Sequence, residues 1–186
     1  MRWMSALRKV NAIVSCCILV LFVLHGLTNS FLLALIGEPG SKLISFALVT
    51  LTVVHALIGV VLTVDAVRTA RSTHAGYAAL NARFWAVRVS GLMICVLIVL
   101  HMCQFLVTED GPFRLRPFDL EDFCFAALLV LSILVHLVCN ARPLAIALGI
   151  PEGRLRAQDL SVALGILCAL MVAAFLYYLL VWTTGA

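Results

Sequence analysis

Apolar residues dominate this chain in five long runs, at 12–36, 43–67, 84–107, 122–141 and 160–182, separated by short polar segments. Each run has the roughly 20 residues that an α-helix rising 1.5 Å per residue needs to cross about 30 Å of hydrocarbon. The pattern predicts an all-α membrane protein with five transmembrane helices in one integral domain, 1–186. The connections fit. "GEPGSK" (37–42) has glycine–proline turn chemistry, "TEDGPFRLRPFDLED" (108–122) is an acidic loop, and "PEGRLRAQD" (151–159) ends in a candidate helix cap at Asp159. The first run has no small-x-small cleavage site after it, so it is expected to remain as a helix and not to be a cleaved signal. No polar segment is long enough to fold alone.

Composition narrows the class. Of the 186 residues 64% are hydrophobic and 12% charged, too few to coat a soluble domain of this size. The net charge of +4 is a matter of threading. Arg2, Arg8, Lys9, Arg68, Arg71, Arg83, Arg88, Arg142, Arg154 and Arg156 fall on one side of the five runs; only Lys42, Arg114 and Arg116 fall on the other. The positive-inside rule then puts the N-terminus in the cytoplasm and the C-terminus outside; the expected location is a bacterial cytoplasmic (inner) membrane. Nucleic acid is not implied. The seven cysteines form no CxxC or CxxCH pattern, which argues against covalent haem, zinc and iron–sulfur sites and for small apolar packing residues.

Four of the five histidines interrupt these runs, one in each of the first four: His25, His55, His101 and His136. His74 lies in a polar connection and reads as solvated. Ionisable groups inside a bilayer are costly and usually functional. The alternative is that each imidazole hydrogen-bonds a neighbouring helix, but one per run over four runs points to a shared purpose. With runs one and three entering from inside, His25 lies about 20 Å and His101 about 25 Å from the inner face; His55 lies about 18 Å and His136 about 8 Å from it. The four separate into an outer pair, His25 with His101, and an inner pair, His55 with His136, each on parallel runs. Two imidazoles at one depth on diagonal helices of a four-helix bundle are what a bis-histidine haem requires. Asn29, Gln104 and Asn140 follow their histidines by 4, 3 and 4 residues, on the same helix faces, as donors to a haem edge or an imidazole. Gly26 adjoins one candidate ligand and Gly59 lies one turn from another, where a flat macrocycle could approach. Helix packing explains either glycine equally well. Asn11, Trp85, Arg88 and Arg142 are candidates at the inner face for haem propionates, or else topology anchors.

The segments "VLHGLTNSFLLAL" (23–35), "VVHALIGVV" (53–61), "FWAVRVSGLMICVLIVLHM" (84–102) and "LVHLVCNARPLAIALGI" (134–150) make the chain resemble a known family. It is the single-polypeptide, five-span dihaem cytochrome b subunits of succinate:quinone oxidoreductases and quinol:fumarate reductases. The last two segments are the most specific, with an aromatic pair and a small residue, Gly91, ahead of one histidine, and a basic residue with an apolar tail behind the other. The resemblance implies two haems b held by the first four helices, first paired with third and second with fourth. It further implies flavoprotein and iron–sulfur partner subunits on the cytoplasmic side, and a quinone, menaquinone by expectation, as substrate. Glu38 is the one acid in the short first loop to serve a quinone near the outer haem. Leu134 stands where some quinol-oxidising relatives carry an acid, and no run has Asp or Glu at mid-depth. Asp65, near an inner end, is within reach of Arg68.

The expected function is therefore that of a dihaem membrane anchor, the quinone-reactive electron-transfer subunit of an oxidoreductase complex, with no dicarboxylate chemistry on this chain. The rival readings are a cytochrome b of a hydrogenase or formate dehydrogenase, and a haem-free transporter of metal or protons.

Overall fold

A computed structural model describes residues 2–36, 42–72, 81–105, 118–147, 149 and 157–181. Over the described residues each apolar run lies in a helix: α1 (Arg2–Ile36), α2 (Lys42–Ser72), α3 (Ala82–Phe105), α4 (Leu120–Ala147) and α5 (Ala157–Val181). All five are long and apolar enough to cross a membrane, and no strand occurs among the described residues. An apolar solvent offers the backbone no partners, so a spanning segment must satisfy its own N–H and C=O groups, as a helix does. The outward faces carry Leu43, Leu57, Val60 and Leu92, all highly exposed. Such an exterior is compatible with a multi-pass membrane protein.

The helices outrun the apolar stretches that predict them. α1 begins at Arg2, α2 continues to Ser72 and α4 to Ala147. Apolarity marks only the lipid-soluble part, whereas a nucleated helix propagates into polar residues, gaining one hydrogen bond for each residue fixed. The start of α1 meets α2 where Arg8 pairs with Asp65 at 3.5 Å, so Asp65 reaches α1 and not Arg68. Both groups are substantially exposed, and such a pair contributes little. Helix starts are set by side-chain caps. Asn81 Oδ1 accepts from the Phe84 N–H at 3.2 Å ahead of α3, and Asp119 Oδ1 accepts from the Asp122 N–H at 2.9 Å ahead of α4. Asp159 is not a cap: α5 has already begun at Ala157, and this acid lies in its first turn, where the helix dipole favours it.

α4 runs through Pro143, which has no N–H for the carbonyl of Cys139 four residues back. Arg83 of α3 fills the gap, its Nε donating to Cys139 O at 2.8 Å. This ties the start of α3 to the C-terminal part of α4. Arg83→Ala is expected to lower stability in detergent by about 1 kcal/mol, near the net value of one partly solvated hydrogen bond. In a Pro143→Ala background the helix supplies its own N–H, and Arg83→Ala should then cost almost nothing. A double-mutant cycle by thermal unfolding reads the coupling; additive effects would mean that Arg83 does not serve this carbonyl.

Packing gives the fifth helix a larger part than a four-helix reading expects. α5 lies against both α1 and α4, α3 pairs with α4, and α2 pairs with α1. The best-packed core joins Phe22 of α1, Phe118, Ala126 and Val130 of and just before α4, and Cys168, Met171, Phe175 and Tyr178 of α5. Gly26 makes this possible: a Cβ there would lie 3.0 Å from Met171 Sδ, so the glycine admits α5. α2 has no buried residue and makes no extensive contact with α3 or α4. The first four helices thus surround a loosely filled interior, and α5 closes it between α1 and α4.

Candidate functional site

The four intrahelical histidines all point into that interior, in the two pairs that depth along the helices gives. His55 of α2 and His136 of α4 are edge to face, ring centroids 6.1 Å apart with planes at 85°. His25 of α1 and His101 of α3 line one cavity of about 320 Å³, with Phe22, Met102, Val130 and Phe175 among its apolar walls. The volume is within the usual ligand-site range of about 300–1,000 Å³. Its polar groups are Asn29, Ser30, Lys42 and Ser45 beside the two histidines. On the far side, the His101 ring meets Phe175 edge-on at 6.3 Å, and Phe175 stacks on Phe118 at 6.0 Å. Tyr178 completes this aromatic plug at 5.5 Å from Phe118.

Hydroxyls from neighbouring helices hold three of the imidazoles. Ser15 Oγ of α1 lies 3.2 Å from His55 Nδ1 and donates its own proton to Asn11 O at 2.7 Å. Ser90 Oγ of α3 lies 3.2 Å from His136 Nδ1, and Val87 O accepts from the same ring nitrogen at 3.1 Å. Ser45 Oγ of α2 lies 3.3 Å from His25 Nδ1, and the Asn29 amide approaches that nitrogen to 2.8 Å. These serines do not stand out in the sequence. A single serine is an ordinary feature of a packed membrane helix, and which helix it faces depends on rotations that the chain alone does not display. One signal was available: Ser15 and Ser45 each precede a histidine of their own helix by ten residues, as Gly91 precedes His101.

The other sequence candidates divide. Gly91 abuts the His55–His136 pair, since a Cβ there would lie 3.3 Å from His136 Cε1. Gly59 faces open space, with nothing within 4 Å of its Cβ position. Arg88 lies between α2 and α3, donating to Thr63 Oγ1 at 3.3 Å, with its guanidinium 4.0 Å from the centre of the Phe84 ring. Asn11 Oδ1 is buried with no hydrogen-bond partner among the described residues, a state costing about 1–3 kcal/mol that a polar ligand or water relieves. Asn140 donates to the backbone carbonyl of His136 at 2.8 Å and not to its ring. Gln104 turns to the start of α4, donating to Asp122 Oδ1 at 2.8 Å, so it braces α3 against α4. Trp85 is exposed beside Phe84 and Arg142 is exposed on α4, positions suited to interfacial anchors. Glu38 lies outside the described residues.

Among the described residues no group of three or more His, Cys, Asp or Glu could hold a metal ion. Two imidazoles underfill a protein-coordinated ion such as zinc, which takes three or four protein ligands. They suffice for an iron whose remaining ligands come from a macrocycle. No family model, curated protein or solved structure matches the chain.

Proposed function

We propose that this protein is a dihaem cytochrome b membrane anchor of the succinate dehydrogenase or fumarate reductase type. In this reading His55 and His136 hold an inner haem, and His25 and His101 an outer one. The observation that carries it is the separation of four intrahelical histidines into two pairs, His55 in edge-to-face contact with His136 and His25 lining one cavity with His101. The loose packing of α2 supports it as well. A helix with no buried residue, held off α3 and α4, suits a bundle whose core is completed by flat cofactors.

Bound haem supplies reversible one-electron redox chemistry. The chain supplies the rest. The Nδ1 hydrogen bonds to Ser15, Ser90 and Val87 O orient the inner imidazoles. The Asn29 amide nitrogen, 2.8 Å from His25 Nδ1 and 3.3 Å from its Nε2, and Ser45 Oγ, 3.3 Å from Nδ1, position the His25 ring. Arg88 and Asn11, toward the inner ends of α3 and α1, suit haem carboxylates. Lys42 lines the outer cavity in the same capacity. The Phe118–Phe175–Tyr178 plug keeps water from His101.

The proposed route carries electrons roughly along the membrane normal, between a quinone and iron–sulfur and flavoprotein subunits on the cytoplasmic side. In this reading the chain lies in a bacterial inner membrane, and the basic-residue asymmetry supports a cytoplasmic N-terminus. A reduced-minus-oxidised spectrum of the purified protein, together with the identity of the flavoprotein that copurifies, tests the reading. A b-type spectrum with a dicarboxylate-oxidising or fumarate-reducing partner is expected. A colourless preparation, or a hydrogenase or formate dehydrogenase partner, overturns it.

A further inference from the structure

We infer that Ser15 and Ser90 are positioning residues of the inner pair, each accepting the Nδ1 proton of an imidazole on a neighbouring helix and leaving Nε2 as the free lone pair. The inference rests on the haem reading above and assigns two residues to it.

The proton assignment follows from groups that can only accept. Ser15 Oγ lies 2.7 Å from Asn11 O and Ser90 Oγ lies 3.2 Å from Val87 O, both i−4 or i−3 backbone carbonyls. A carbonyl has no proton to give, so each hydroxyl proton points along its own helix and each serine oxygen turns a lone pair to the imidazole 3.2 Å away. The imidazoles must therefore donate, which places the proton of the neutral ring on Nδ1. His136 gives an independent check: its Nδ1 is also 3.1 Å from Val87 O, a second group that only accepts.

A ligating imidazole whose other N–H is accepted by oxygen is more basic at the metal. Greater basicity favours the ferric over the ferrous state, so these serines hold the inner midpoint potential down. The two contributions are unequal. His136 keeps Val87 O when Ser90 is lost, whereas the hydrogen bond at His55 is to Ser15.

Redox titration of the haem-loaded protein tests this. Ser15→Ala should raise the inner midpoint, with the reduced-to-oxidised ratio at fixed potential increasing roughly three- to tenfold, about 30–60 mV for a one-electron couple. Ser90→Ala should shift it the same way by less, and Ser15→Thr, which keeps the hydroxyl, should restore it. The outer component should not move in any of the three. An unmoved inner midpoint in Ser15→Ala, a shift in the outer component, or failure of Ser15→Thr to restore overturns the inference. Should Ser15→Ala not assemble, hyperfine spectroscopy of the unaltered protein decides. An exchangeable proton on the remote nitrogen of both inner ligands is expected, and its absence overturns the assignment while the dihaem reading stands. Unaltered protein without haem b overturns both.

Discussion

Alanine at His55 and alanine at His136 should remove one and the same haem component, the inner one, and leave the outer component in place. Each substitution takes away one of two facing imidazoles whose ring centroids are 6.1 Å apart. A single remaining ligand in an apolar interior gives a high-spin or vacant site. His25→Ala and His101→Ala should share the complementary phenotype, because both rings border the same cavity. The expected loss is complete for one component and slight for the other, read by redox titration and by low-temperature spectra of four single variants. Loss of the same component in His25→Ala and His55→Ala would refute the pairing, even for a dihaem protein.

Enlarging Gly91 should be almost as severe, although Gly91 ligates nothing. A Cβ at this position would lie 3.3 Å from His136 Cε1 and 3.5 Å from its Nδ1. That is tight enough that the ring must give way by a few tenths of an ångström for alanine. The branched side chain of valine demands more, and the ring can move only by breaking its bonds to Ser90 and Val87 O. Axial ligation tolerates little displacement, so Gly91→Val is expected to empty the inner site or turn it high-spin. Gly91→Ala should retain haem with a perturbed spectrum. Gly165→Ala on α5, where nothing lies within 4 Å, is the matched control and should leave both components unchanged. Normal inner-haem content in Gly91→Val would show that His136 does not need this space.

The spans, and which histidines lie near one another, are legible in the sequence because their signals are one-dimensional. A long apolar run predicts a helix wherever it packs, and depth follows from counting residues at 1.5 Å each. Contacts depend on helix rotation and neighbours, and there the reading stops short. Asn140 shares a helix face with His136 but turns back to its own backbone. Gln104 reaches across to Asp122 instead of inward. Gly26, adjacent to His25, serves the approach of Met171 from α5, a helix with no histidine to draw notice. Ser15, Ser45 and Ser90 gain their imidazole partners only once α1 is set beside α2 and α3 beside α4. Arg83 looks like one more basic residue on the positive-inside face, and its role appears only once Cys139 O is seen to lack the N–H that Pro143 cannot provide.

The central claim is that this one chain holds two non-covalent haems, and haem stoichiometry tests it most directly. Pyridine haemochrome assay against quantitative amino-acid analysis of the purified protein should give two haems b per polypeptide. Acid–acetone should extract both, since no CxxCH is present to bind either covalently. A ratio of one or zero, or haem that remains with the polypeptide after extraction, would contradict the account.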